Sequence, residues 1–557
     1  MNNVRLPLSA TLLTTVTAAT VTVAALLTGC GQEAQVTASA TESVTGAVTT
    51  DTRSGQQTGS ALNTTVANAP ETTMEWARYG KAQASEARVI NTQPAKNIVL
   101  VVGDGMGITT LTAARIFAGQ QQGLDGEEFR LSFEAMPNSA LIKTYNTDQQ
   151  TPDSAGTMTA LVTGQKTDAG VLSVDPLVQR GDCASAMNAD HQAQLTTLLD
   201  LAESLGKDTG IVTTTRITHA TPAAMYAHSV ERDWESNDAM PADAVAAGCK
   251  DIARQLVEYA SSNPGQDGVD IILGGGRRHF LPESDGGKRT DGRNLMQEWE
   301  AQGGQPVLTN ARELARADLT QGRWLGLFSS SHIPYVNQRN EQVPGLLDMT
   351  QAAWKRLNQN DRGFVLVIEA GRIDHGHHAG NAYLALREAE ELHQTMSWVL
   401  EQANLDNTLV ITTADHSHTL TLAGYPTRGN PILGLVRGNN KNGEPDAEPV
   451  LLDDGKPYTS ISYRNGPGAV VYGDDGERPA MTEEQARGTR YLQQALVPLE
   501  SETHGGEDVA LYAAGPWAHL FGGTMEQNWV YHVMQHALTA GPVVASGFSD
   551  SSHLAGR

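Results

Sequence analysis

The chain has 557 residues, of which 39% are hydrophobic and 18% charged, and 39 lysines and arginines against 63 aspartates and glutamates give a net charge of −24 at pH 7. This acidic balance excludes a general binder of nucleic acids and other polyanions. The composition is that of a globular protein with a sizeable core.

The first thirty residues have the layout of an export signal. Arg5 is the only charge before an uncharged stretch, residues 6–29, which ends directly before Cys30. This order is typical of a signal peptide, and the small residues before the cysteine resemble the lipobox of bacterial lipoproteins. We therefore predict a signal peptide over residues 1–29 and lipidation of Cys30. A retained anchor helix is the alternative, because the stretch is just long enough to span a bilayer.

A tether and one large domain follow. Residues 30–82 are rich in Ala, Thr, Ser and Gln without a sustained hydrophobic period, which predicts a disordered tether. Residues 83–545 are predicted to form the folded domain. Besides Cys30 the chain has only Cys183 and Cys249, and two cysteines in an exported protein favour one disulfide. Two buried free thiols are the alternative.

The folded part is predicted to be α/β. Leucines and alanines at helical spacing between residues 195 and 205, followed by Gly206, predict a helix that crosses between two strands. Strands that alternate with helices imply a largely parallel sheet. The apolar, β-branched runs that we predict as strands are Ile98–Val102, Gly210–Thr215, Val269–Leu273, Phe364–Ile368 and Leu409–Thr413.

Polar residues follow four of these strands where each one ends. Asp104 lies in a Gly-Asp-Gly-Met-Gly turn after the first strand, Thr221 follows the second, Glu369 ends the fourth, and Asp415 and His416 follow the fifth. Ligands bind at this carboxyl edge in open α/β sheets. Any one of these residues alone could be a turn or capping residue. Together they predict a site with oxygen and nitrogen ligands.

Two histidine-containing runs suggest metal binding. A helix beginning soon after Glu369 would place Asp374 and His378 at i and i+4 on one face, where they can share a metal. Asp415 and His416 offer the carboxylate and imidazole donors that suit zinc. A further histidine, His504, precedes a strand-like run. For an isolated tract, a solvated histidine-rich turn is the alternative.

Ser154 is a candidate nucleophile. The apolar positions after it predict a helix ending near Gly164, so Ser154 lies at the helix N-terminus. An ordinary N-cap is one interpretation. The other is phosphate chemistry, because backbone N–H groups and the helix dipole attract anions at that end. The pattern alone does not separate the two.

In their order and spacing, these motifs resemble those of the alkaline phosphatases over about residues 95–540. The motifs that carry the resemblance are the Asp104 turn, Asp153-Ser154-Ala155, Thr221-Pro222-Ala223, Glu369 with Asp374 and His378, Asp415-His416 and His504.

The resemblance implies an α/β three-layer sandwich with a largely parallel central sheet flanked by helices, a homodimer, and two Zn²⁺ and one Mg²⁺ per subunit. The ligand sets that it implies are Asp374, His378 and His504 for the first zinc, Asp104, Asp415 and His416 for the second zinc, and Asp104, Thr221 and Glu369 for magnesium.

Further positions resemble the animal-type members of the family. His219 and His375 stand where the best-known bacterial form has an aspartate and a lysine. The resemblance implies that His219 acts on the third metal through water, which leaves the identity of that metal open. Arg232 matches the phosphate-binding arginine, and Cys183 and Cys249 match an animal-type disulfide.

The resemblance implies a metal-dependent phosphomonoester hydrolase that forms a phosphoserine on Ser154 and works best at alkaline pH. The expected substrates are small phosphate monoesters, with no role in nucleic-acid binding. A phosphodiesterase of the same superfamily and a catalytically inactive metal- or phosphate-binding protein are the alternatives. The expected location is the periplasm, on the outer membrane, or the cell surface, with Cys30 as the only membrane anchor.

A Gly-, Pro-, Asn- and Asp-rich segment, residues 424–490, resembles the small crown insertion of the animal-type enzymes. A merely solvated loop is the alternative. A calcium site is not predicted, because Ser329 stands where the family's calcium ligand would be a glutamate.

Overall fold

The computed structural model describes residues 90–187, 193–470 and 477–540. The predicted signal peptide, Cys30 and the tether lie outside these residues. The described strands are β1 Asn97–Val102, β2 Asn138–Lys143, β3 Asp208–Arg216, β4 Ile271–Gly275, β5 Trp324–Leu327, β6 Phe364–Glu369, β7 Thr408–Thr413, β8 Ser417–His418, β9 Leu420–Leu422, β10 Ile461–Gly466, β11 Ala495–Pro498, β12 His504–Gly505, β13 Val509–Ala514 and β14 Thr524–Glu526.

The longer helices surround the sheet, and the shorter helices lie in the connections between its strands. The described α-helices are α1 Ile108–Gln121, α2 Ser154–Thr163, α3 Cys183–Met187, α4 Leu198–Ser204, α5 Ala220–Ala223, α6 Ala242–Ala246, α7 Ile252–Val257, α8 Tyr259–Ser262, α9 Leu295–Ala301, α10 Ala311–Arg316, α11 Leu346–Leu357, α12 Arg372–His378, α13 Ala382–Gln402, α14 Glu483–Ala486 and α15 Trp529–Thr539. Short 3₁₀ turns occur at Ser132–Ala135, Asn237–Ala239, Arg277–His279, Glu283–Asp285, Val336–Gln338 and Ala518–Leu520.

A nine-stranded sheet with the order β14-β2-β13-β7-β1-β6-β3-β4-β5 forms the centre. The six strands from β7 to β5 in that order are parallel, and β13 joins them antiparallel to β7. The five predicted strands are all present. The third begins at Ile271, two residues later than predicted, and ends at Gly275.

Helices cover both faces of this sheet. Every residue of β1, β6 and β7 is buried, which is expected of parallel strands covered on both sides. Helices α1, α11 and α13 pack together as one group, and α2, α4 and α15 pack together as another. The predicted three-layer α/β architecture is confirmed.

The crossover helix that the sequence predicted is α4. Its cap is Thr197, whose hydroxyl accepts a hydrogen bond from the backbone N–H of Asp200, and Gly206 follows the helix in the left-handed region at φ 66°. Such a glycine is a common helix terminator because it has no Cβ to clash there.

The segment from residue 424 to 490 contains regular structure in its described part. Strand β10 pairs with β9 and β11 in a separate three-stranded sheet, and Ile461 and Tyr463 on β10 are buried. The interpretation as a merely solvated loop is therefore wrong for these residues. Within the described ranges, none of the helices combines the length and the apolar character that crossing a membrane requires.

Candidate active site

The carboxyl edge of the parallel strands gathers the predicted site residues, as the sequence indicates. Asp104 follows β1, Glu369 ends β6, and Asp415 and His416 follow β7. These three strands are neighbours in the sheet. The four side chains are buried, so the chain holds three carboxyl groups close together away from water. This arrangement is costly unless cations or protons compensate the charge.

The first predicted zinc set comes together from two distant parts of the chain. The predicted helix is α12, and it places His378 Nε2 3.3 Å from Asp374 Oδ1. His504 lies in β12, which pairs with β8 antiparallel, and its Nε2 lies 3.1 Å from His378 Nε2 and 3.5 Å from Asp374 Oδ1. Three donor atoms therefore face one small volume.

The second predicted zinc set lies directly beside the first. His416 Nε2 lies 3.4 Å from Asp104 Oδ1 and 3.4 Å from Asp415 Oδ2. The His416 and His504 rings stack with centroids 3.6 Å apart. Burial lowers the pKa of His416 well below its usual value, and the charge of His504 lowers it further. His416 is thus held neutral, which is the form that binds a metal.

The predicted magnesium set leaves several buried polar atoms without a hydrogen bond. Among the described residues no donor reaches either carboxylate oxygen of Asp104 or Oε1 of Glu369 in hydrogen-bond geometry, and Thr221 Oγ1 lies near Glu369 but outside that geometry. Glu369 Oε2 is held by the hydroxyls of Thr213 and of Thr215, the latter at 3.0 Å. Oxygen donors of this kind suit a hard divalent cation, so the residues fit the implied metal.

Burial is the main cause of the raised pKa values in the predicted magnesium set. Burial raises the pKa of Asp104 well above its usual value, and the neighbouring charges of Asp415, Asp374 and Glu369 raise it further. Burial, with the charge of Asp415, also raises the pKa of Glu369 to about 7, against the hydrogen bonds from Thr213 and Thr215. A bound cation would remove this cost, because it favours the charged carboxylates.

Ser154 is the first residue of α2 and not its cap. The cap is Asp153, whose Oδ1 accepts a hydrogen bond of 3.0 Å from the backbone N–H of Gly156. The interpretation of Ser154 as an ordinary N-cap is therefore wrong. Its Oγ is buried and lies 3.1 Å from His416 Nε2, so the hydroxyl faces the second metal set.

Arg232 is placed beside Ser154 by the same capping residue. Its Nη1 donates a 3.0 Å hydrogen bond to Asp153 Oδ2, and its Nη2 lies 3.4 Å from His219 Nε2. Burial opposes the charge of this guanidinium, but Asp153 outweighs it and raises the pKa of Arg232. A fixed guanidinium next to a buried hydroxyl at a helix N-terminus is an arrangement that can hold a phosphate group.

His219 and His375 lie next to each other beside the predicted magnesium set. The centroids of their rings are 5.6 Å apart. Ligand atoms of Asp104, His219 and Glu369 all lie within 4.8 Å of one another. Burial lowers the pKa of both histidines, and the charge of Arg232 lowers that of His219 further.

Sequence reasoning missed a pair of residues behind the first zinc set. His418 Nε2 lies 2.8 Å from Asp374 Oδ1, and its Nδ1 lies 2.6 Å from Glu502 Oε2. Burial alone would lower the pKa of His418, but these two carboxylates raise it to about 10. Because both ring nitrogens face carboxylates, His418 is placed to orient Asp374. The signal was its place two residues after His416, but its partners were not visible in sequence.

Asp153 and His332 were missed for a similar reason. Asp153 was noted only as a neighbour of Ser154, although it joins the cap of α2 to Arg232. His332 stacks against His375 with centroids 4.2 Å apart and lies in a long connection that carries no motif.

Cys183 and Cys249 form a disulfide, as predicted. It lies outside the metal site, in a small apolar cluster that includes Val171, Val230 and Trp234. The interpretation as two free thiols is wrong.

The chain is similar to known proteins over most of its length. A family model described as Alkaline phosphatase matches residues 95–540. The tissue-nonspecific alkaline phosphatase of Gallus gallus is 43% identical over 491 residues, which cover 85% of this chain and 90% of that protein. An alkaline phosphatase of Gadus morhua is 42% identical over 484 residues, which cover 84% and 96%.

Solved structures share the fold. Alkaline phosphatase from Thermus thermophilus superposes with a TM-score of 0.56 at 23% identity, over 81% of this chain and 92% of that one. The enzyme from the Antarctic bacterium TAB5 gives a TM-score of 0.54 at 21% identity, over 80% and 99%. The family match and the relatives together show that this chain belongs to the alkaline phosphatase family and is a metal-dependent phosphomonoester hydrolase.

Proposed function

We propose that the chain hydrolyses small phosphate monoesters through a phosphoserine formed on Ser154. The observation that carries this proposal is the position of the Ser154 hydroxyl at the N-terminus of α2, 3.1 Å from His416 Nε2 and directly after Asp153, which binds Arg232. Backbone N–H groups and the helix dipole attract a phosphate at that end of a helix. The nucleophile and the groups that would hold its substrate are therefore adjacent.

The chain's own residues account for binding and attack. Arg232 would bind two phosphate oxygens through its planar guanidinium, which Asp153 already orients. Ser154 Oγ would attack phosphorus in line, form the phosphoserine and expel the alcohol. Water then cleaves the phosphoserine and releases inorganic phosphate.

The proposed cofactors are two Zn²⁺ and one Mg²⁺ per subunit. When bound, they would supply Lewis acidity for the serine and leaving oxygens and a lowered pKa for water, which favours an alkaline pH optimum. The residues that would hold them are Asp374, His378 and His504 for the first zinc, Asp104, Asp415 and His416 for the second, and Asp104, Thr221 and Glu369 for magnesium.

Hydrolysis of a chromogenic phosphate monoester between pH 8 and 10 tests this proposal. The wild type, chelated and then supplied with zinc and magnesium, is compared with Ser154→Ala. Loss of the nucleophile should lower kcat on the order of 10⁴-fold or more. The matched control is Ser132→Ala, which removes a buried hydroxyl bonded to the backbone of His393 and should leave kcat unchanged.

Other outcomes assign the site differently. Turnover of a phosphodiester without turnover of the monoester would make the chain a phosphodiesterase. Tight phosphate binding with no turnover of either would make it an inactive binding protein. Activity that survives Ser154→Ala would exclude the phosphoserine.

We also propose that the chain is exported and lipidated on Cys30, with no other membrane anchor, in the periplasm on the outer membrane or at the cell surface. The residues before Cys30 support this proposal. Incorporation of a labelled fatty acid that Cys30→Ser abolishes is the expected result. A membrane-bound Cys30→Ser protein would favour a retained anchor helix.

We propose a homodimer for the same chain, with the crown-like segment 424–490 at the surface near the partner. Large apolar side chains exposed in and beside this segment support it: Tyr425 is 93% exposed and Leu496 is 75% exposed. Light scattering after size-exclusion chromatography should give twice the mass of one chain. The net charge of −24 supports the proposal that nucleic acid is not a partner.

A further inference from the structure

The three-stranded sheet brings a tyrosine of the crown-like segment to the back of the metal site. Strand β10 pairs antiparallel with β9, so that Tyr463 lies opposite Leu420. Leu420 is only two residues beyond His418 in the chain. This register places Tyr463 near His418, and both side chains are buried.

Tyr463 fixes one side of a fully buried histidine. Its hydroxyl lies 2.7 Å from Nδ1 of His377, and the hydroxyl of Thr110 lies 3.1 Å from Nε2 of the same ring. A neutral imidazole has one donor and one acceptor, and a hydroxyl can serve either role. Both polar atoms of His377 are thus satisfied, and the ring cannot turn without losing a hydrogen bond.

His377 in turn presents its flat face to His418. The two rings stack with centroids 4.7 Å apart and an angle of 29° between their planes. Gly105, at φ 68°, lies against the edge of the His418 ring. The two are so close that a Cβ on Gly105 would lie 2.4 Å from Cδ2 and Nε2 of His418. His418 is therefore held by a ring on its face and by backbone at its edge, while its nitrogens face Asp374 and Glu502.

We propose that Tyr463 is a positioning residue for the first zinc, acting through His377 and His418 on the carboxylate of Asp374. This inference rests on the proposed assignment of Asp374, His378 and His504 to that zinc. Removing the hydroxyl of Tyr463 leaves Nδ1 of His377 buried without a partner, frees that ring to turn and loosens the stack that fixes His418. Asp374 then loses part of its orientation, and the first zinc binds less tightly.

Zinc dissociation constants of the full-length loaded protein, measured by competition with a chromophoric chelator, test this proposal. Tyr463→Phe keeps the ring and removes only the hydroxyl. We expect the dissociation constant of one zinc to rise about tenfold, at the low end of the 10- to 100-fold range for groups that orient metal ligands, while the other zinc is unchanged. Tyr491→Phe is the matched control: this half-buried tyrosine directly follows the crown-like segment and its hydroxyl lies near Thr459, and both constants should stay as in the wild type.

Two further variants tie the effect to the first zinc. In a His378→Ala background, where that zinc is already weakened, Tyr463→Phe should have no additional effect. His377→Asn removes the stacking ring and should weaken the same zinc as Tyr463→Phe, which keeps the test usable if the tyrosine variant folds poorly.

Three results would overturn the inference. They are an equal rise in both zinc dissociation constants, equal effects of Tyr463→Phe and Tyr491→Phe, and no change in either constant. Its failure is separate from failure of the proposed function. A wild type that turns over monoesters while Tyr463→Phe binds both zinc ions normally refutes only the positioning role. A wild type without monoester turnover whose first zinc still depends on Tyr463 refutes only the proposed reaction.

Discussion

The two ends of the metal site differ in how far the protein alone satisfies them. In the histidine half, made of Asp374, His378, His418, Glu502 and His504, each imidazole has polar partners: Nδ1 of His504 lies 2.7 Å from the carbonyl oxygen of Pro152, and Nδ1 of His378 lies 2.6 Å from that of Glu502. In the carboxylate half, made of Asp104, Thr221 and Glu369, four buried oxygens have no hydrogen-bond partner among the described residues: both carboxylate oxygens of Asp104, Oγ1 of Thr221 and Oε1 of Glu369.

This difference separates two ways of building a metal site. The histidine half is organised by hydrogen bonds in the metal-free protein, so replacing one of its side chains should lower the stability of that protein. The carboxylate half stores unfavourable charge at high pH, which a bound cation or a proton relieves. Replacing a carboxylate there should stabilise the metal-free protein at high pH while it damages metal binding.

The largest expected effect is in the histidine half. His418→Leu leaves the carboxylates of Asp374 and Glu502 buried without their shared partner, and should lower the free energy of unfolding of the metal-free protein at pH 7 by about 3–5 kcal/mol. Because the pKa of His418 is raised to about 10, this contribution is complete below pH 6.5 and is lost as the pH rises through 10. Denaturant unfolding of both proteins across that range checks it. A control, His393→Leu, removes a histidine bonded to the backbone of Ser132 and should show no such pH dependence.

The next effect concerns Glu369 in the carboxylate half. Its pKa is raised to about 7, so its contribution to stability is present below about 4.5 and is lost as the pH rises through 7. The expected loss is on the order of 3 kcal/mol. Buried histidines titrate in the opposite sense in this range, so the quantity to measure is the difference in unfolding free energy between the metal-free wild type and Glu369→Gln. A difference that does not change with pH would contradict the prediction.

Asp104→Asn should raise stability. The amide has the shape of the carboxylate without its charge, and at pH 9 the metal-free variant should be more stable than the wild type by about 1–3 kcal/mol. With zinc and magnesium supplied, the variant should lose turnover, since the proposed zinc and magnesium sets share this residue. Lower stability of the metal-free variant would show that Asp104 is already compensated by the protein.

The smallest effect is expected at Thr221. Thr221→Val removes a buried hydroxyl that lacks a hydrogen bond, so the stability of the metal-free protein should change by less than about 1 kcal/mol. Magnesium should nevertheless bind about tenfold more weakly, as measured by calorimetric titration of the zinc-loaded protein. An unchanged magnesium affinity would remove Thr221 from the third set.

The sequence predicted what depends on local pattern. The five strands, the helix that holds Asp374 and His378, and the candidate ligands after four of these strands follow from short apolar runs and from the parallel sheet's common edge. The motif that carries Ser154 also predicted its helix, although Asp153 and not Ser154 proved to be the cap.

What the sequence could not predict depends on long-range register. His418 lies opposite His504 because two residues of β8 pair with two of β12, and Tyr463 reaches His377 because β10 returns beside β9. No periodicity marks such short pairings. The partners of His418, and the orphaned oxygens of Asp104, become visible only when the fold brings these segments together.

The pairing of His378 with His504 has a consequence for the order of synthesis. These two proposed ligands of one metal are 126 residues apart in the chain, and His504 lies in one of the last described strands. When His378 leaves the ribosome, His504 has not yet been synthesised. Under the proposed assignment, the first zinc therefore lacks one of its ligands until His504 has emerged, and a chain threaded unfolded through a membrane would load this metal only on the far side.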